Sequence, residues 1–217
     1  MRVAVTQTEP GRVAGALRTA GFDVVECPLV RVEPLPGSSI RAEGYDWIVL
    51  TSRNAVEPLL ARLDGPLPPV AVVGHGTAEA LRARGVEPAL VARDATQEGL
   101  AAELPRPAGR VLFAGAEGAR RVLVRELGAR FIPLYRTVEL RPDRFPHTDL
   151  VVLASPSAAR AYAALGRSEA CVAVGAVTAT EARRLGLPIV AEAHSPGPDG
   201  VVAAVKLAAS RTGSSRS

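Results

Sequence analysis

Two threonines, Thr77 and Thr178, each stand three residues after a glycine that ends a valine-rich run, in VAVVGHGTAEALRARG (residues 70–85) and VAVGAVTATEARRLG (residues 172–186). At a turn from a buried strand into a helix, such a hydroxyl occupies an N-cap position, where it either satisfies free backbone N–H groups or meets an anion held there. Two further hydroxyl sites share this setting. Thr51-Ser52 follows the apolar run WIVL, and Ser155 is followed by Pro156 at a first helical position. Capping alone accounts for all four sites, but capping and ligand contact are compatible, and the positive helix end favours carboxylates. Arg12 and Arg120 each lie near the start of a predicted helix, where a cation is disfavoured by about 0.3–1 kcal/mol. A bound anion offsets that cost, and so does solvation. Tyr135 ends the predicted strand of PLYRT beside a connector. Its phenol is a weak but usable proton donor, with packing in a hinge as the alternative.

Other chemistries are excluded by spacing. Gly74-His75-Gly76 starts like a dinucleotide fingerprint, but Glu79 occupies the third glycine position, and no phosphate-binding G-K-[ST] loop exists. His75, His147 and His194 are far apart and show no metal-ligand spacing. No nucleophile elbow or Cys–His pattern is present, so an enzyme built on this chain is expected to use neither a cofactor nor a metal. Cys27 and Cys171 sit in or beside strand patterns and read as buried, inert thiols. A net charge of +4 suits an anionic partner. Lys206 is the only lysine, so that charge is carried by arginine, the better fork for carboxylates. The basic residues are scattered and aromatics make up only 4% of the chain, which argues against nucleic acid. No apolar run approaches the ~18 residues of a membrane span, and MRVAVTQ enters a strand pattern directly, so a cytoplasmic protein is expected.

The elements that carry these residues occur twice. Gly74 and Gly175, Thr77 and Thr178, and Gly85 and Gly186 match at one constant offset. DWIVLTSRNAVEPLL from Asp46 matches DLVVLASPSAARAYAAL from Asp149, and QEGLAAEL around Gly99 matches PDGVVAAV around Gly200. The opening residues resemble GRVLFAGAEGARRVLVRELGARFIPLY, which sets Arg12 opposite Arg120 and Pro28 opposite Pro133. Strands and helices alternate, and the strands are apolar and β-branched, as in parallel sheets covered by helices. Proline-bearing stretches at 28–39 and 135–149 interrupt the alternation, and SRTGSSRS reads as a frayed tail. The expected architecture is α/β with two similar lobes. Residues 1–34 and 146–217 form one lobe, residues 40–135 form a second inserted in it, 35–39 and 136–145 connect them, and a ligand cleft lies between.

Taken together and in order, DWIVLTSRNAV, VAVVGHGTAEAL, TQEGL, VLFAGAEGAR, PLYRT, DLVVLASPSAA, VAVGAVTATEA and PDGVVAAV resemble the uroporphyrinogen-III synthase family over about residues 2–207. The resemblance implies two flavodoxin-like lobes joined by a two-stranded ladder. It also implies a monomer that cyclises hydroxymethylbilane, a linear tetrapyrrole with eight carboxylates, inverting ring D through a spiro intermediate and releasing water. The substrate's own pyrroles stabilise the cation involved, which explains the lack of a strong catalytic constellation. Tyr135 matches the family's tyrosine held to assist loss of water, and Thr77 and Thr178 match its cleft threonines. Ser52, Asn54, Ser155 and Ser157 match rim positions for substrate carboxylates. The resemblance adds Thr6, Thr51, Gly74 and Gly175 as substrate contacts, with Arg12 and Arg120 beside them. Two departures stand out: Gln7 replaces the usual arginine after the first threonine, and Ala154 replaces the threonine of a Thr-Ser pair. The alternatives are a non-catalytic tetrapyrrole-binding relative and a cytoplasmic two-lobed small-molecule binding protein.

Overall fold

Short Val-, Ile- and Leu-rich runs alternate with Ala-rich amphipathic segments, and each kind folds as its period dictates. A computed structural model describes residues 1–9, 11–195 and 197–213; Pro10, Pro196 and residues 214–217, the end of the expected tail, lie outside the described residues. The chain divides into two compact units. One comprises Met1–Arg31 and the described residues from Val138 onward, and the other is Val32–Thr137.

The first unit contains β1 (Arg2–Val5), α1 (Gly11–Thr19), β2 (Asp23–Glu26), and the first residues of β3 (Val30–Pro34). After the second unit it resumes with β11 (Leu150–Leu153), α6 (Pro156–Ala163), β12 (Ala170–Ala173), α7 (Ala176–Arg184), β13 (Ile189–Glu192) and α8 (Pro198–Gly213). Its five strands lie in the order β13-β12-β11-β1-β2 and pair in parallel throughout. Alternate residues serve opposite faces of this sheet. Val3, Val5, Leu150 and Val152 join Val13, Leu17, Val201 and Val205 of α1 and α8. Ala4, Val151 and Leu153 join Ala159, Tyr162 and Ala182 of α6 and α7. Both faces are therefore dry, which is why the strands read as unbroken apolar runs.

The second unit contains β4 (Ile40–Arg41), β5 (Trp47–Leu50), a 3₁₀ turn (Arg53–Ala55), α2 (Val56–Arg62), β6 (Leu63–Asp64), β7 (Val70–Val72) and α3 (His75–Arg82). Then come β8 (Leu90–Val91), α4 (Gln97–Glu103), β9 (Val111–Ala116), α5 (Val122–Leu127) and β10 (Arg130–Glu139). The sheet order is β3-β10-β9-β5-β7-β8, and β4 pairs with β6 apart from it. Ile48, Leu50, Leu112 and Ala114 pack on Leu59 and Leu81 of α2 and α3. Val49, Val111 and Phe113 pack on Leu100 and Leu123 of α4 and α5. Truncating one fully buried leucine of this kind costs about 2–5 kcal/mol.

The duplication read from the sequence is present with its parts reordered. In the first unit β1-α1-β2 comes first in the chain; in the second the matching β9-α5-β10 comes last. Both sheets nonetheless have the same spatial plan, with one strand from which the chain winds outward in both directions. The strand order reverses between β1 and β11 in one unit and between β9 and β5 in the other. At such a switch point successive helices leave on opposite faces, opening a crevice at the carboxyl ends of the strands.

Two elements differ from the sequence reading. The proline-bearing stretch 28–39 contains β3, and β10 continues through Tyr135 to Glu139 rather than ending there. Both prolines involved, Pro34 and Pro133, stand where the missing N–H is tolerated: one ends β3 and the other precedes a register shift in β10. Among the described residues no helix is long and apolar enough to cross a membrane.

Candidate active site

In the first unit the switch point is braced by Thr6. This residue follows β1, is fully buried, donates its hydroxyl to the Val152 carbonyl at 2.8 Å and accepts from the Ala154 N–H at 3.2 Å. Thr6 therefore ties the ends of β1 and β11 together, with its hydroxyl buried and bonded within the unit. One residue on, Ser155 caps α6 as expected: its backbone is extended, its side chain accepts from the Ala158 N–H at 3.1 Å, and Pro156 follows at the start of the helix. Ser157, in the first turn, accepts from Arg160 at 2.9 Å. Arg12 is exposed in the first turn of α1.

Thr178 is not the N-cap its spacing suggested. Gly175 caps α7, and the helix starts at Ala176, so Thr178 lies in the first turn, 5% exposed. Thr77 stands in the same place in the second unit, where Gly74 caps α3 and Thr77 is 4% exposed. The helices begin two residues before each threonine, directly after the capping glycines Gly74 and Gly175. Thr77 N–H and Ala78 N–H both donate to the Gly74 carbonyl. The two glycines are not equivalent. Gly74 has φ +84°, in the left-handed region, whereas Gly175 at φ 166° is extended backbone open to any residue.

The switch point of the second unit holds the phenol. Tyr135 is 4% exposed and pairs with Ala116 at the end of β9, after the register shift that follows Pro133. A regular strand sends successive side chains to opposite faces, yet Leu134 and Tyr135 both join the core under α2 and α3; the bulge makes this possible. The Glu117 N–H donates to the Tyr135 carbonyl at 2.8 Å and pins the strand there. Burial pushes the phenol pKa up, and a hydrogen bond with the Ser52 side chain offsets part of the rise. Tyr135 is thus a neutral phenol at physiological pH, able to donate a proton or a hydrogen bond but not to act as a base. Ser52 also caps the 3₁₀ turn after β5, accepting from the Asn54 N–H at 3.3 Å. Thr51 is half-buried beside it, Asn54 is exposed, and the Thr51 Oγ1 lies 3.8 Å from where a side chain on Gly115 of β9 would begin.

Arg120 departs from its expected state. It precedes α5, as read, but its guanidinium makes two bonds to Glu98 of α4, at 2.6 and 3.1 Å. The anion that offsets its unfavourable position is internal, and Arg120 in turn holds the Glu98 carboxyl below its ordinary range. The next residue, Arg121, stacks on Phe131 at 3.5 Å. Cys27 and Cys171 are free thiols. Among the described residues no three His, Cys, Asp or Glu side chains gather as a metal site requires.

Tyr135, Ser52, Asn54 and Thr51 are thus brought together at one switch point, and Thr6, Ser155 and Ser157 at the other, while Gly74, Thr77, Gly175 and Thr178 line the neighbouring helix starts. Sequence reasoning missed Arg160, which donates to Glu139 at 2.8 Å, Glu181 at 3.3 Å and Ser157. The only local signal was its place one turn after Pro156, on the face that carries the rim. It also missed Glu98, which the TQEGL stretch offered as the first-turn acid of a capped helix.

Such a molecule is a doubly wound α/β protein whose two switch points carry hydroxyls and helix N-termini, with a buried phenol in one of them. The profile of the family described as uroporphyrinogen-III synthase HemD matches residues 11–203, and the chain belongs to that family. Uroporphyrinogen-III synthase of Synechococcus elongatus is 30% identical to it over 161 residues, which span 64% of this chain and 60% of that protein. The chloroplastic uroporphyrinogen-III synthase of Oryza sativa subsp. japonica is 28% identical over 94% of this chain and 79% of its own length. The crystal structure of uroporphyrinogen-III synthetase from Helicobacter pylori 26695 shares the fold, with a TM-score of 0.70 at 18% identity, covering 97% of this chain and 99% of that one.

Proposed function

We propose that this protein is a uroporphyrinogen-III synthase, closing hydroxymethylbilane to uroporphyrinogen III with release of water. The observation that carries the reading is the neutral Tyr135 phenol, buried at the β10 bulge and held by Ser52. A phenol kept neutral is suited to donate to a departing hydroxyl, and its raised pKa makes it a modest acid. The substrate supplies the rest: loss of hydroxide as water leaves an azafulvenium cation spread over the pyrroles. The substituted carbon of ring D captures that cation, and the spiro intermediate fragments and recloses with ring D inverted. The last carbon–carbon bond formed releases a proton, which restores the donor.

The chain's remaining task is to fold the substrate, which favours closure by orientation rather than by strong chemistry. Rim hydroxyls at Thr51, Ser52, Asn54, Ser155 and Ser157, the helix starts at Gly74, Thr77, Gly175 and Thr178, and the guanidiniums of Arg12 and Arg120 bind its carboxylates, with Thr6 bracing one rim. Helix N-termini and arginines suit eight carboxylates on both counts. No cofactor or metal enters this scheme. A cytoplasmic monomer completes the proposal, the monomer being open to test by light scattering.

The deciding experiment supplies freshly generated hydroxymethylbilane, oxidises the product and separates uroporphyrin I from III. Predominantly isomer III establishes the synthase. Isomer I alone, at the spontaneous rate, rejects it and favours a binding protein.

A further inference from the structure

Beside the first-unit rim, α6 and α7 leave a groove of roughly 410 Å³ lined by Pro156, Arg160, Ala176, Val177, Thr180 and Glu181. That volume falls within the ~300–1,000 Å³ common for small-ligand sites. Its walls are of two kinds. Pro156, Ala176 and Val177 make an apolar side, and Val177, 70% exposed, is the most exposed large apolar side chain among the described residues. Arg160 and Glu181 make the polar side.

The charge arrangement there is unequal. Arg160 is held firmly by Glu139 at 2.8 Å and Ser157 at 2.9 Å, but its contact with Glu181 is 3.3 Å long. Glu181 in turn is served by Arg184 at 2.8 and 3.0 Å, and it is held at about 2, first by Arg184 and only then by Arg160. Glu181 therefore loses little if Arg160 turns away from it. One guanidinium edge stands beside an apolar shelf, occupied by a carboxylate that has another partner.

We propose that this groove is the subsite for one pyrrole ring of the tetrapyrrole, the ring lying on Val177 and its carboxylate replacing Glu181 on Arg160. The proposal rests on the synthase reading and specifies which ring-sized surface of the first unit takes the substrate. A flat apolar ring with a carboxylate on a short arm satisfies both walls at once. A wholly apolar ligand would leave the exchangeable guanidinium edge unused, and a simple anion would leave Val177 in water.

The test uses the full chain with two readouts, steady-state kinetics on hydroxymethylbilane and binding of uroporphyrin III by fluorescence. Val177→Asp, at an exposed site that the fold does not need, raises KM and the uroporphyrin dissociation constant about tenfold with kcat within about twofold of wild type. Arg160→Gln does the same, and Arg160→Lys recovers part of the loss. Glu181→Gln tightens both constants by about two- to fivefold, because a competing carboxylate is gone; a merely structural pair would not respond in that direction. Unchanged constants in both Val177→Asp and Arg160→Gln, with wild type making isomer III, overturn the subsite and leave the synthase reading standing. If wild type makes only isomer I, the synthase reading fails and the porphyrin titration alone decides. Weaker binding in Val177→Asp then supports a tetrapyrrole subsite, and equal binding overturns it.

Discussion

The Ser52 side chain, which caps the turn after β5, also hydrogen-bonds the Tyr135 phenol on β10, so one serine shapes the local backbone and tempers the acid. Burial dominates, and the phenol stays above its ordinary pKa. Tyr135→Phe is therefore expected to lower kcat for isomer III about 10²-fold, the low end for loss of a general acid. Ser52→Ala should cost about threefold to tenfold, less than the phenol itself. Because burial raises the folded pKa above the ordinary phenol value, kcat should show no alkaline limb from this group between pH 7 and 9. A limb in that window that vanishes in Tyr135→Phe contradicts the assignment.

The two repeat glycines separate conformation from sequence likeness. Gly74 at φ +84° needs the freedom of glycine, so Gly74→Ala should destabilise the protein by about 1–2 kcal/mol in chemical denaturation. Gly175 is extended, and a side chain there meets nothing within 4 Å, so Gly175→Ala should change stability by less than about 0.5 kcal/mol. Equal losses at the two sites would show that φ is not what distinguishes them.

Thr6 is a brace. Thr6→Val keeps the volume and the Thr6 N–H bond to the Val152 carbonyl but leaves the Ala154 N–H without its acceptor, a loss of about 1–3 kcal/mol. Thr6→Ser should retain most of the stability, since the hydroxyl survives. A Thr6→Val protein with wild-type stability would remove the brace from this account.

Glu98 competes with any ligand carboxylate for Arg120. Glu98→Gln is expected to lower KM for hydroxymethylbilane by about two- to fivefold, with a smaller effect at high salt. Melting should move little, because the pair is exposed. An unchanged KM at low salt places Arg120 outside the substrate's reach.

Stability should fall toward both pH extremes for identifiable reasons. Burial raises the Glu169 pKa, but bonds from Arg167 and Tyr162 outweigh it and hold the group at about 2 against an ordinary 4.5. A depressed carboxyl contributes stability above pH 4.5 and loses it as pH falls through about 2. Burial drives Cys171 from 9.0 to about 12, so its contribution is complete below pH 9 and is lost as pH rises through about 12. Denaturation measured across pH should lose part of its acid slope in Glu169→Gln, Glu181 and Glu98 supplying more of it, and part of its alkaline slope in Cys171→Ala.

Much of the architecture was legible in the chain itself. The apolar runs at Val3, Ile48, Val70, Leu112, Val151 and Val172 became parallel strands because both their faces are buried, a demand that reads directly as unbroken hydrophobicity. Ser155 before Pro156 announced its helix start, since cap and ring act within one turn. The internal duplication was visible because matched elements keep matched residues. What tertiary structure decided are the relations between residues far apart in the chain. The order of parts in the two sheets depends on which strands hydrogen-bond, and local pattern is blind to that. Thr6 looked like a surface contact until β11 supplied its partners. Arg120 looked unpaired until α4 brought Glu98 beside it, and Tyr135 looked like a strand end until the β10 bulge carried it into the core beside Ser52. Composition and spacing determine which groups exist and which local structure holds them. Burial, ion pairing and proton affinity depend on neighbours that only the folded chain brings within a few ångströms.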